Sequence, residues 1–440
     1  MNKTKLIAAS ISIAAVLAFS GCTTNNMSMN DSSKTLVGTY TNIATKNYSD
    51  ALKDAVTLRF QIDAFATNPT DANLAKAKKA WLASRESYGQ TEIFRLSNGP
   101  IDAEEGWIAE AYGSLEGQLN AWPLDENMID YTTDASGVRT SGNIIDTKGS
   151  FNPGGEDSAA VNIKKITVKA LTALNENGGD ANVATGYHAV EFILWGQDQD
   201  YSNFIKDGVT SGDLAAGQRP LSDFTTDKGA KRRLAFLKAS SEKIVKDLTV
   251  VSSAWTNNGT YAQALNSKLS GDNANKNIDR KTALTQIFAG MGVFIKSELA
   301  NERIAVAVLT PSEEDEHSCF SDNTHRDIAQ NYQGFKNILT GTYEGNSYGK
   351  APIDALDVAT RTNVEKLMSS IEAKIESINL IAETSRHFDK QIRANDPQSL
   401  VIVKLKNEMR KLGDQMINVA NANGIQLSVE DVTDADETKM

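Results

Sequence analysis

The sequence predicts an all-α protein made of two helical-bundle domains packed together, whose halves could be related by duplication. Long stretches place apolar residues three and four apart, the spacing that gives a helix one buried stripe. No comparable set of alternating β-branched segments competes with them. Eight prolines in 440 residues and 23% charged side chains suit helices. Roughly 400 residues beyond the leader suffice for two hydrophobic cores.

In chain order the periodic segments are Thr35–Thr67, Asp71–Leu96, Ala159–Leu174, Ala181–Trp195 and Lys228–Trp255, then Lys281–Leu309, His325–Leu339, Ile353–Glu383 and Pro397–Ala422. The turn Asn68-Pro69-Thr70-Asp71 ends in a capping residue, and Asp396-Pro397 opens the last helix in the same manner. Two stretches interrupt the pattern. Thr132–Asp157 and Gly196–Gly229 are rich in Gly, Asp, Ser and Thr and carry Pro153 and Pro220. Loops of that length in a compact protein are usually functional or disordered. The domain division is expected near Gly217–Lys228, giving an N-terminal helical domain at 36–225 and a C-terminal one at 226–440.

The first residues follow a different logic. Lys3 and Lys5 precede an apolar run from Leu6 to Phe19 and then Ser20-Gly21-Cys22. That run is shorter than the ~20 apolar residues a spanning helix needs. A short cationic stretch, a brief apolar core and small residues describe a secretory signal over 1–21. The small pair directly before Cys22 looks like a lipobox, so Cys22 is expected to carry a lipid. Residues 22–35, polar and aperiodic, would be a flexible tether. Thr23 rather than aspartate after the cysteine favours the outer membrane. Losing Lys3 and Lys5 takes the formal charge from −11 to −13. A body that acidic has no footprint for nucleic acid and would not hold anionic lipid by charge, so the membrane partner is reached through the acyl group. Cys319 alone remains after processing, which excludes an intramolecular disulfide.

Three places offer chemistry. The segment from Val183 to Trp195 is apolar nearly all round, as in a buried helix, and its polar exceptions after Thr185 are His188 and Glu191. Spaced by three, they share a face. A buried carboxylate without a partner is costly, so the pair is either a ligand pair for a metal ion or a core hydrogen bond that fixes packing. Gly186 would let another backbone approach closely. In Lys281–Leu309 the buried stripe, followed by sevens, runs Leu284, Met291, Glu298, Ala305 and, beside it, Phe288, Ile295, Glu302, Leu309. Glu298 and Glu302 thus fall on the apolar face next to Arg303, and serve either an arginine network or a ligand set. The loop Glu313–Asp327 holds Asp315, His317, Asp322 and His325 as further candidate ligands, or is a solvated acidic turn before a helix. His-Glu-x-x-His is absent, and Phe192 stands where the inverted motif has histidine.

Gly186-Tyr187-His188-Ala189-Val190-Glu191 resembles the Gly-x-His-x-x-Glu motif of the imelysin-like family, which includes insulin-cleaving metalloproteinase-like and iron-regulated protein A-like lipoproteins. The segment from Asn120 through Trp122 and Pro123 to Asp125, with Ile129-Asp130, is similar to its Trp-Pro segment. Glu298 to Arg303 and the loop Asp315–Asp327 look like the iron-regulated branch. The likeness runs from Leu36 to Ala422. It implies two helical bundles with a site between them near His188 and Glu191, supported by Gly186, Trp122, Asp125 and Arg303. It also implies a role in iron or haem uptake, with a metal ion (iron or zinc) or haem as cofactor and iron or haem transport components as partners. For haem, His188, His317 or His325 would supply the axial ligand. The rival expectations are a zinc metallopeptidase, with Glu298 or Glu302 as third ligand or base, and a structural adaptor lipoprotein.

Overall fold

A computed structural model describes residues 35–133, 136–197, 216–309 and 315–435. The residues read as signal, as Cys22 and as tether up to Lys34 lie outside the described residues. The first bundle is built on α1 (Leu36–Thr67) and α2 (Asp71–Thr91), joined by the short turn and packed along each other. Each start is capped by a threonine: Thr35 accepts from the Gly38 amide at 2.9 Å and Thr70 from the Asn73 amide at 3.3 Å. The bundle adds α3 (Gly186–Trp195), every residue of which is buried, and α4 (Ala230–Trp255). Tyr40, Tyr48, Phe94, Trp255 and Tyr261 form an aromatic centre between α1 and α4. Because α4 lies against α1 and α3, the loop at 217–228 joins two members of one bundle, and the first bundle runs on to Trp255.

The second bundle holds α5 (Arg280–Val293), α6 (Thr324–Thr340), α7 (Val358–Thr384) and α8 (Pro397–Ala422). Asp279, Asp357 and Asp396 cap α5, α7 and α8. Two short antiparallel ribbons, 150–151 with 161–162 and 342–343 with 346–347, are the described strands, so the chain is all-α. The bundles meet where α2 lies on α6. Small residues allow that approach: a Cβ on Gly334 would stand 2.4 Å from the Gln90 carbonyl oxygen, and one on Gly89 would stand 2.9 Å from Gln330 Cβ. No helix among the described residues is long and apolar enough to cross a membrane.

One prediction of side-chain direction fails. After Val293, α5 continues as a π-helix over Phe294–Ala305. Its i→i+5 hydrogen bonds put more residues into each turn, so a step of seven no longer returns to the same face. Phe288 and Ile295 are buried as expected, but Glu302 is exposed and Leu309 is 61% exposed. Glu298, four residues nearer the start of the π-helix on the other stripe, stays partly buried.

Candidate functional site

The middle of the molecule is organised around α3. Gly186 opens the helix at φ +87°, and a Cβ there would lie 2.6 Å from the carbonyl oxygen of Leu119. Only glycine satisfies both conditions, and the close approach brings the Asn120–Pro123 segment against the helix. Trp122, joined to Pro123 by a cis peptide bond, then lies against His188 with ring centroids 5.0 Å apart and planes tilted by 60°.

His188 and Glu191 are both fully enclosed, and His188 Nδ1 lies 2.9 Å from Glu191 Oε2. The other carboxylate oxygen, Oε1, accepts from the amide and hydroxyl of Ser321 at 3.0 and 2.6 Å. Both oxygens of Glu191 are therefore engaged in orienting neighbours. His188 Nε2 is buried and has no hydrogen-bond partner. Burial, with the guanidinium groups of Arg85 and Arg303, holds the His188 imidazole well below its usual range. Burial raises Glu191 to about 8 against the Ser321 hydrogen bonds that favour its anion, and Asp327 adds to the rise. Near neutral pH the pair is thus an uncharged imidazole beside a carboxyl group that is easily ionised. Ionisation leaves Nδ1–H donating to the carboxylate and exposes the Nε2 lone pair.

His317 arrives from the far bundle. Its ring stands edge-on to His188, centroids 4.6 Å apart, and its Nε2 is 3.3 Å from the amide nitrogen of Asn120. Arg85 donates to the amide oxygen of Asn120, which fixes that amide so its nitrogen faces His317. The same guanidinium donates to Asp327 Oδ1 from Nε and Nη2, at 3.1 and 3.0 Å, and Asp327 accepts the Ser318 hydroxyl. Arg85 on α2, Asp327 on α6 and the Ser318–Ser321 turn therefore lock the two bundles together directly behind the histidine pair. His317 is also held well below its usual range, by burial first and then by Arg303 and His188.

A cleft of about 380 Å³ opens beside His317 and Trp122, reaching from the 116–123 segment to the π-helix. Its lining has six carboxylates, Glu116, Glu176, Asp180, Glu298, Glu302 and Asp315, against two arginines, Arg95 and Arg303. That surplus favours cations. The sequence-predicted residues separate here. Glu298 is bound to Arg303 at 2.8 Å and Arg95 at 3.0 Å; burial opposes its charge, but the two guanidinium groups win and lower it to about 2. It belongs to an arginine network that includes Glu92. Glu302 and Asp315 stand exposed at the cleft. Asp125 caps a short turn by accepting the Asn127 amide. Asp322 turns to His387, at 3.2 Å, and His325, lowered to about 4 by burial and Arg326, starts α6 beside them. Among the described residues, no three His, Cys, Asp or Glu side chains converge closely enough to enclose a metal ion. Arg85 escaped sequence reading, and Asn120, Ser321 and Asp327 lie in segments the sequence singled out without being candidate ligands there, since each is an ordinary polar residue until the fold brings it inside.

The imelysin family model (peptidase M75) matches residues 44–416 of this chain. The chain belongs to the imelysin family. It is 23% identical over 308 residues to iron-regulated protein A of Synechococcus elongatus, a match covering 70% of this chain and 64% of that relative. Two solved structures share the fold. One, described as an iron-regulated protein A precursor from Parabacteroides distasonis, has a TM-score of 0.53 at 18% identity, over 88% of this chain and 95% of its own. The other, an imelysin-like protein from Psychrobacter arcticum 273-4, has a TM-score of 0.53 at 12% identity, over 90% of this chain and 97% of its own.

Proposed function

We propose that this imelysin-family chain captures a metal ion, iron foremost, at the His188 centre, and that it does so as a lipid-anchored envelope protein serving iron uptake. The observation that carries this reading is the buried, unpartnered Nε2 of His188, with Nδ1 held by a carboxylate. A carboxylate that fixes the far nitrogen of an imidazole is the usual support of a metal-ligating histidine. The residues present fit a metal ion in that respect, and the acidic cleft would gather cations beside it. In this arrangement His188 is the ligand, Glu191 orients it, and His317 stands next to it from the second bundle. A bound ion would supply Lewis acidity and a charge that keeps Glu191 ionised. The chain's own part is to give up the Glu191 proton, hold the imidazole in one tautomer and exclude water with Trp122 and Phe320.

Peptidase chemistry draws less support, because it needs a general base as well as a metal. Glu191, the carboxylate at the centre, already has both oxygens engaged by His188 and Ser321. The test is calorimetric titration of chelator-treated protein with Fe²⁺, Fe³⁺, Zn²⁺ and haem, beside His188→Ala. Binding by the wild type alone supports the reading. Equal binding by both, or none below millimolar concentration, would make the pair a packing device. Chelator-sensitive cleavage of an unfolded protein, lost in His188→Ala, would instead favour the peptidase.

A further inference from the structure

A second cavity, about 460 Å³, lies on the first bundle, between the 139–148 loop and the start of α4, and its chemistry is opposite to that of the central cleft. Five cationic side chains line it: Arg139, Lys148, Lys228, Arg232 and Arg233. Asp130, Asp146 and Asp227 line it with them, and the Arg219–Asp223 pair stands behind, which leaves two positive charges in excess on a chain of net charge −11. Surface charge on an acidic protein would not produce that excess by averaging.

The cations also differ in how well they are matched. Arg233 is fully satisfied by Asp130 and Asp227, at 2.6 and 2.7 Å. Arg232 is not matched in kind. Its guanidinium donates to the carbonyl oxygens of Ile144, Ile145 and Ile163 at 2.8, 2.8 and 3.1 Å, which orient it without supplying a countercharge. Burial accordingly draws Arg232 below the usual guanidinium range, with Asp146 opposing. Arg139 holds its guanidinium carbon over the Tyr131 ring, 3.8 Å from its centroid, and reaches Asp223 and Asp227 only at 3.8 and 3.9 Å. Its donors are half exposed toward the cavity. Stacking on an aromatic ring presets a guanidinium plane for a planar or tetrahedral oxyanion. Finally, Lys231, Arg232 and Arg233 occupy the first turn of α4, which contains no acidic residue. Asp227, which accepts the Gly229 amide and Arg233, answers part of the positive charge at the start of this 26-residue helix, and an anion in the cavity would answer more of it.

We infer that this cavity binds a phosphate group, carried either by a free phosphate anion or by a phosphodiester headgroup, through Arg139, Lys148, Lys228 and Arg232. The site is independent of the His188 centre, and its failure would leave the metal reading untouched.

The experiment is calorimetric titration of the detergent-purified full chain with inorganic phosphate and, separately, with glycerophosphoglycerol, the soluble headgroup of an anionic lipid. The variant is Arg139→Gln/Lys228→Gln, whose side chains are exposed enough to leave the core intact. Arg232→Lys, which keeps the charge but loses the fixed fork, is the second variant. Saturable binding of either probe, weakened about tenfold in the double variant and weakened by added salt, supports the site, and the preferred probe names the source. Fe²⁺ binding by the double variant should match the wild type. No binding of either probe at millimolar concentration overturns the inference. So does binding that the double variant retains in full.

Discussion

Replacing Arg85 with methionine tests whether the two bundles are locked through the site. Arg85 and Asp327 are each 1% exposed, and the guanidinium makes two hydrogen bonds to Oδ1 of Asp327 and a third to Asn120. Methionine fills much of the same space among Trp81, Tyr88 and Tyr187, so lost packing is a small part of the effect. The larger part is the charge left behind. Asp327 would keep the Ser318 hydroxyl but lose its cation, and breaking a buried pair in this way costs roughly 3–5 kcal/mol. Urea unfolding should show that loss. Arg85→Met/Asp327→Asn should recover a good part of it, because a neutral amide needs no counter-ion. The metal affinity of Arg85→Met should fall as well, since the Asn120 amide that steadies His317 loses its anchor. A single variant within ~1 kcal/mol of wild type, or a double variant no better than the single, would refute the argument.

The remaining expectations concern the centre itself. Glu191→Gln should lower metal affinity by roughly 10–100-fold while His188→Ala abolishes it, because the carboxylate orients and the imidazole ligates; equal loss in both, measured by titration, would contradict that division. Stability of the metal-free protein should peak near neutrality. From about pH 4.5 to 6.5 the unfolded chain would take up protons on His188, His317 and His325 that the native state refuses, three against the one that native Glu191 keeps, so these groups make stability rise with pH by up to ~2.7 kcal/mol per unit. From about 6.5 to 8 the native state alone holds the Glu191 proton, and stability falls as pH rises. Urea midpoints that climb steadily through pH 8 would exclude this assignment. Gly186→Ala should destabilise by ~1–3 kcal/mol, through both its positive φ and the Leu119 carbonyl, and a circular-dichroism melt matching wild type would show that the backbone had room to adjust.

The sequence alone determined that this chain is helical, that α3 is buried all round and that His188 and Glu191 share a face, because each follows from spacing within one helix. It also carried the family likeness. Tertiary structure decided what those residues meet. Glu191 proved to hold His188 and Ser321, the latter 130 positions away, and no local pattern reports a contact across that distance. Glu298 went to Arg95, 203 positions earlier, rather than toward the histidines. Glu302 left the apolar face because Phe294–Ala305 winds as a π-helix, and a stripe counted by sevens presumes an unbroken α-helix. The packing of α4 on α1 is likewise a contact between distant parts of the chain that composition does not report. Periodicity is a property of neighbours in the chain, whereas the site is made where two bundles close on each other.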